Sequence, residues 1–164
     1  MRVLGIDPGT AITGYGVVEG DGDNLTVVTY GAITTPANQE LPQRLQQIYR
    51  QLQALIADWQ PESAAVEELF FSRNARTALA VGHARGVALL ALTDAGLRIQ
   101  EYKPAEIKLA VAGYGGAPKE QVQGMVQLLL ELDEVPRPDD AADALAVAIC
   151  HFHSARWKSL VSGS

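Results

Sequence analysis

Cysteine is nearly absent. Cys150 is the single cysteine among 164 residues, so no disulfide forms within the chain, which fits a reducing compartment. No apolar run reaches the 18 residues of a membrane-spanning helix. The start, MRVLGIDPGT, lacks the long apolar stretch of a signal peptide. A cytoplasmic protein with no membrane partner is expected. Histidines number three, and His151 and His153 stand two apart on a predicted helix, where they do not share a face. His83, His151 and His153 therefore read as structural or surface residues, and Cys150 as a core filler. Repeats, low-complexity blocks and interior linkers are missing too. The length suits one domain with a full core, assigned to residues 1–159, with 160–164 as a disordered tail.

Basic residues are in deficit. Thirteen Lys and Arg face nineteen Asp and Glu, for a net charge of −6, which argues against a polyanionic partner. The distribution changes that argument. Residues 1–72 hold three basic and nine acidic side chains, and residues 120–164 hold three and seven. Between them, residues 73–119 hold seven basic side chains and three acidic ones. A polyanion can dock on that middle segment if the fold gathers its bases on one face; otherwise it is an unevenly charged surface.

Alternation and turn signals predict strands at 3–7, 13–19 and 25–34, joined by short turns into an antiparallel meander. Pro42–Trp59 has helical periodicity, with Leu45, Ile48, Tyr49, Leu52, Leu55, Ile56 and Trp59 on one face. Further strands are expected at 63–68 and 97–102, and helices at 75–95, 104–112, 119–132 and 141–159. Three antiparallel strands followed by strands with helical crossovers imply an α/β fold: a mixed five-stranded sheet flanked by helices.

Two apolar strands end on carboxylates. Asp7 closes the first, before Pro-Gly, and Glu67 closes the fourth. If those strands are parallel neighbours, both acids lie on the rim where open α/β sheets place ligands. In RPDDAADALA, Asp140 and Asp143 are three apart at a helix start and share a face. Singly, Asp7 reads as an Asx-turn residue, Glu67 and Glu68 as a solvated strand end, Asp139 or Asp140 as an N-cap, and Asp143 as a first-turn acid. Jointly the four form an all-oxygen donor set, which suits Mg²⁺ or Mn²⁺, and two such ions make a site for phosphoryl displacement. Glu68 beside Glu67 and Asp139 beside Asp140 leave each assignment open by one position; the strand pleat favours Glu67, which shares a face with Ala65.

The stretches GIDPGTAITGYGV, AAVEELFFSRNARTALAVGHARGVAL and PRPDDAADALAVAICHFH, in this order to about Arg156, resemble the RuvC family of bacterial Holliday-junction resolvases. The resemblance implies an RNase H-like fold and a homodimer. It also implies symmetrical nicking of four-way DNA junctions with Mg²⁺ or Mn²⁺, two ions per site, leaving 5′-phosphates. Its catalytic and metal-binding acids fall on Asp7, Glu67, Asp140 and Asp143. Phe70 matches an aromatic of the family's DNA-contacting loop, which stacks on bases or else packs into the core. Arg73, Asn74 and Arg76 belong to the same segment as phosphate contacts. Lys108 and Lys119 match basic positions near the scissile strand. The small-residue helix 75–95 is the implied dimer interface, and the RuvA–RuvB branch-migration complex the implied partner. Three other classes fit less well: an actin-like ATPase needs a second lobe, a non-cutting DNA-binding module is expected to lack an acid, and a glycosidase needs two carboxylates rather than four.

Overall fold

The computed structural model describes residues 1–68 and 74–163. Five strands form one sheet: β1 (Arg2–Asp7), β2 (Ile12–Gly20), β3 (Leu25–Thr34), β4 (Ser63–Glu67) and β5 (Arg98–Tyr102). The spatial order is β3-β2-β1-β4-β5. The β1–β2 and β2–β3 pairs are antiparallel, and β1–β4 and β4–β5 are parallel. The expected mixed sheet is therefore present. The central strands β1 and β4 are almost wholly buried because helices cover both faces, which accounts for their unbroken apolar runs.

Strand pleat divides the core in two. On one face Leu4, Ile6, Val17, Ala64 and Val66 pack against α1 (Leu41–Trp59) and α2 (Ala75–Asp94). On the other, Val3, Val18 and Ala65 pack under α5 (Asp139–Ser162), with α3 (Pro104–Ala112) and α4 (Lys119–Leu129) around it. In α1, Ile48, Leu52 and Ile56 repeat every four residues and are the buried stripe. Buried residues run almost without interruption from Ala141 to Phe152 in α5, since this helix is covered by the sheet below and by α3 and α4 beside it.

Helices α4 and α5 differ from expectation at their ends. Helix α4 stops at Leu129 rather than Leu132, because Glu131 adopts a left-handed backbone (φ 52°) that turns the chain out of the helix. Helix α5 begins two residues early, at Asp139 behind Pro138, and extends to Ser162. Asp140 thus lies inside the first helical turn.

The loop between β1 and β2 is tied down at three points. Thr13 Oγ1 donates to Gly9 O (2.7 Å) and accepts from Gly9 N (3.3 Å). Thr10 Oγ1 donates to Ala80 O of α2 (2.5 Å), and Thr35 Oγ1 donates to Thr10 O (2.6 Å). A side chain at Gly9 would place its Cβ 2.3 Å from Ile12 O, so this turn closes only around glycine. The chain after Asp7 is thereby folded back on itself, away from the strand end.

Candidate active site

The pleat aims two acids the same way. Along β1, Val3 and Gly5 face α5, and Asp7 continues that alternation; along β4, Ala65 faces α5 and Glu67 follows. Because β1 and β4 are parallel neighbours, both carboxylates stand at one rim.

Glycines bring the other two acids in. A Cβ at Gly14 would lie 1.9 Å from Asp140 O, one at Gly5 2.1 Å from Ala144 O, and one at Gly16 2.5 Å from a Leu145 methyl. Any side chain there displaces α5, so the backbone of its first turns rests directly on β1 and β2. The alanines of DDAADALA supply half of this close approach. The sheet glycines supply the rest, and their spacing (Gly5, Gly14, Gly16) was the sequence signal for it.

The electrostatics register the convergence. Burial pushes the Asp7 carboxyl up to about 9, helped by the charge of Glu67, a hydrogen bond with Glu67, and the charges of Asp143 and Asp140. Asp143 is pushed up to about 6, again chiefly by burial; Lys119 opposes the rise, while Glu67, Asp140 and Asp139 add to it. Asp140 acts on Asp7, and Asp139 is absent from the groups that do. Asp139 turns instead to Lys119 Nζ (3.3 Å), Arg137 Nη1 (2.7 Å) and Gln123 Nε2 (3.2 Å), and Lys119 holds its carboxyl below the usual aspartate range. This division of labour between adjacent aspartates was not legible in the sequence.

Lys119, the first residue of α4, also stands 3.8 Å from Asp143 Oδ2. Burial pulls its pKa down, but Asp143, Asp139 and Asp140 lift it above the usual lysine value. A cleft of about 270 Å³ is lined by Glu67, Asp143, Lys108 and Lys119, with Ile107 and Val122 as apolar walls. Two acids and two lysines of the expected site therefore share one concavity. Asn74 caps α2, its Oδ1 accepting from Arg76 N (3.0 Å), and Arg76 is exposed in the first turn. Phe70 and Arg73 lie outside the described residues. The histidines play no part: His151 bridges Ser63 and Tyr102, His153 Nδ1 contacts Ala110 O (2.9 Å), and His83 is exposed. Cys150 is buried, with its thiol pushed up to about 11 by burial.

Among the described residues, no three Asp, Glu, His or Cys side chains are drawn together as a closed metal shell. The donor set nonetheless fits a hard divalent cation. All four groups are carboxylates, and among the described residues no cation acts on the half-buried Asp7. A divalent ion is the charge such a cluster lacks.

A parallel–antiparallel sheet with carboxylates from two strand ends and a packed helix, beside basic residues, is an arrangement suited to the class of metal-dependent phosphodiester-cutting proteins. The family described as crossover junction endodeoxyribonuclease RuvC matches residues 3–151. A protein of that name from Chloroflexus aggregans is 63% identical over 155 residues, covering 94% of each chain. Among solved structures, T. thermophilus RuvC in complex with Holliday junction substrate superposes with a TM-score of 0.92 at 38% identity, covering 96% of each chain. The yeast mitochondrial Holliday junction resolvase shares the fold at 16% identity and a TM-score of 0.66, over 96% of this chain and 82% of that one. This chain belongs to the RuvC family of crossover junction endodeoxyribonucleases, and its fold is the RNase H-like fold of the resolvases.

Proposed function

We propose that this chain resolves four-way DNA junctions by nicking two symmetry-related strands, using Mg²⁺ or Mn²⁺ held by Asp7, Glu67, Asp140 and Asp143. The observation that carries this reading is the cleft in which Glu67 and Asp143 face Lys108 and Lys119. Hard divalent ions, two per site, would supply a water nucleophile and neutralise charge at the phosphodiester, leaving a 5′-phosphate. The chain's own residues bind and orient. Lys108 and Lys119 are placed to hold phosphate oxygens against the carboxylates. Asp139 keeps Lys119 at the start of α4, so the ammonium is present before DNA arrives. Arg76 and Asn74 at the start of α2, with Phe70 and Arg73 before them, are the proposed contacts to the junction arms and centre.

Paired nicks need two sites, and we assign the second to a homodimer partner. The outer face of α2 supports this. Leu79 and Leu90 are 62% and 55% exposed, and between them Gly82 and Gly86 meet open space where a side chain would project. These positions recur every three to four residues on one face, suited to close helix packing. Family membership supports RuvA–RuvB as the motor that presents the junction. No helix among the described residues is long and apolar enough to cross a membrane, which is compatible with a cytoplasmic enzyme.

The test is cleavage of a labelled mobile four-way junction with Mg²⁺ or Mn²⁺, beside Asp7→Asn. Paired symmetrical nicks that disappear in the variant while junction binding persists are the expected result. Binding without cutting by the unaltered protein in either metal would overturn it.

A further inference from the structure

The rim opposite the carboxylates carries a second cavity. Ser63 and Arg98 are the first residues of β4 and β5 and pair in register. They stand about 13 Å from the Glu67 end of β4, at roughly 3.3 Å per residue. Here the late turns of α5 pass over the sheet and border an open groove of about 480 Å³, lined by Ser63, Arg98, Ile99, Tyr102, His151 and Lys158 among others. That volume falls in the range of small-molecule sites.

Its floor is a fixed polar network. His151 Nε2 lies 3.3 Å from Ser63 Oγ, and Nδ1 lies 2.9 Å from Tyr102 OH. Both ring nitrogens are engaged, which ties β4, β5 and α5 together. Burial, then the charges of Lys158 and Arg98, hold the His151 pKa below its usual value, so the ring adds no charge at neutral pH.

The charged lining residues are of one sign. No Asp or Glu lines the cavity, and neither Arg98 nor Lys158 has an ion-pair partner among the described residues. Arg98 and Lys158, both exposed, line this one cavity, and the charges of both act on His151. A guanidinium fork and a point ammonium lining one groove suit a phosphate group, and the groove's apolar walls suit an organic body attached to it.

We propose that this cavity binds a small organic phosphate of about mononucleotide size, with its phosphate between Arg98 and Lys158 and its apolar body against Ile99 and Tyr102. The site is separate from the junction-cutting cleft, and the inference stands independently of the proposed function.

The experiment is calorimetric titration of the full chain with adenosine 5′-monophosphate, in metal-free buffer. Saturable binding is expected with a Kd of about 1 mM or tighter. Arg98→Glu and Lys158→Glu should each weaken it at least about tenfold, as should replacing the nucleotide with adenosine. Lys119→Glu, at the other rim, should leave it unchanged. Arg98→Gln and Lys158→Gln serve as milder variants, with an unchanged melting temperature showing that the fold is intact. No saturation by about 10 mM, or binding lost in Lys119→Glu but kept in Arg98→Glu, would overturn the proposal. Inorganic phosphate binding as tightly as the nucleotide would overturn the organic part of it.

Discussion

Glu67, at the end of β4, shares a hydrogen bond with Asp7, at the end of β1. Two carboxylates bond in this way only if one keeps its proton. Burial pushes the Asp7 carboxyl up to about 9, so the pair keeps its shared proton at neutral pH without metal. An ion entering the site must displace that proton. Asp7→Asn preserves the hydrogen bond and removes the negative charge the ion needs. Cutting of a four-way junction should fall by at least about 100-fold, with the junction Kd unchanged within about threefold. Gel-shift and single-turnover cleavage assays on one preparation check both halves.

The raised values at Asp7 and Asp143 predict how stability varies with pH. Both groups bind protons more tightly folded than unfolded. Their contribution is fully present below the ordinary aspartate pKa of about 4 and is lost as pH rises. For Asp143 the loss runs to about 6, and for Asp7 to about 9. The metal-free protein should therefore melt at progressively lower temperature from pH 5 to pH 9. In Asp7→Asn that slope should be shallower and the melting temperature at pH 8 higher, by roughly 4–8 °C for about 2 kcal/mol. Thermal melts in a chelator give the answer; a slope unchanged by the substitution would remove Asp7 as its cause.

Close approach of α5 to the sheet makes Gly14 and Gly5 sensitive positions. A methyl at Gly14 would sit 1.9 Å from Asp140 O, and backbone cannot swing away as a side chain can. Gly14→Ala should cost about 2–4 kcal/mol of stability and shift the Asp140–Asp143 turn away from Asp7. Denaturant unfolding measures the first effect. The second should appear as cutting lost at temperatures where circular dichroism reports a folded protein.

Lys119 holds Asp143 in its charged form. In Lys119→Gln the Asp143 carboxyl should titrate above its present value of about 6, read by carbon NMR in metal-free buffer. Cleavage should fall on the order of 100-fold if the ammonium also supports the phosphate in the transition state.

Arg76 and Lys108 are proposed to meet phosphates. Reversing either charge should weaken junction binding and lower the slope of log Kd against log salt by about one. A slope that does not move would take that residue off the DNA surface.

Much of this was legible in the chain itself. Short turns through GDGDN and the spacing of apolar residues specify the meander, the crossovers and α1, because period 2 and period 3.6 are local properties. Asp7 and Glu67 were recognisable because a carboxylate ending a buried strand demands compensation. The Asp140–Asp143 spacing was visible on a helix face. Helix ends were less so: Glu131 leaves α4 through a left-handed backbone that no local signal announces.

What the sequence by itself determined is the order of elements and the inventory of acids and bases. Only the tertiary structure decided how they act on one another. Asp139 and Asp140 are neighbours of the same type, yet one pairs with Lys119 and the other acts on Asp7. The choice is set by where α4 docks and by how closely Gly5, Gly14 and Gly16 let α5 lie. Charge interactions weaken with distance and strengthen with burial, so they follow distance and desolvation, which residue type alone does not specify.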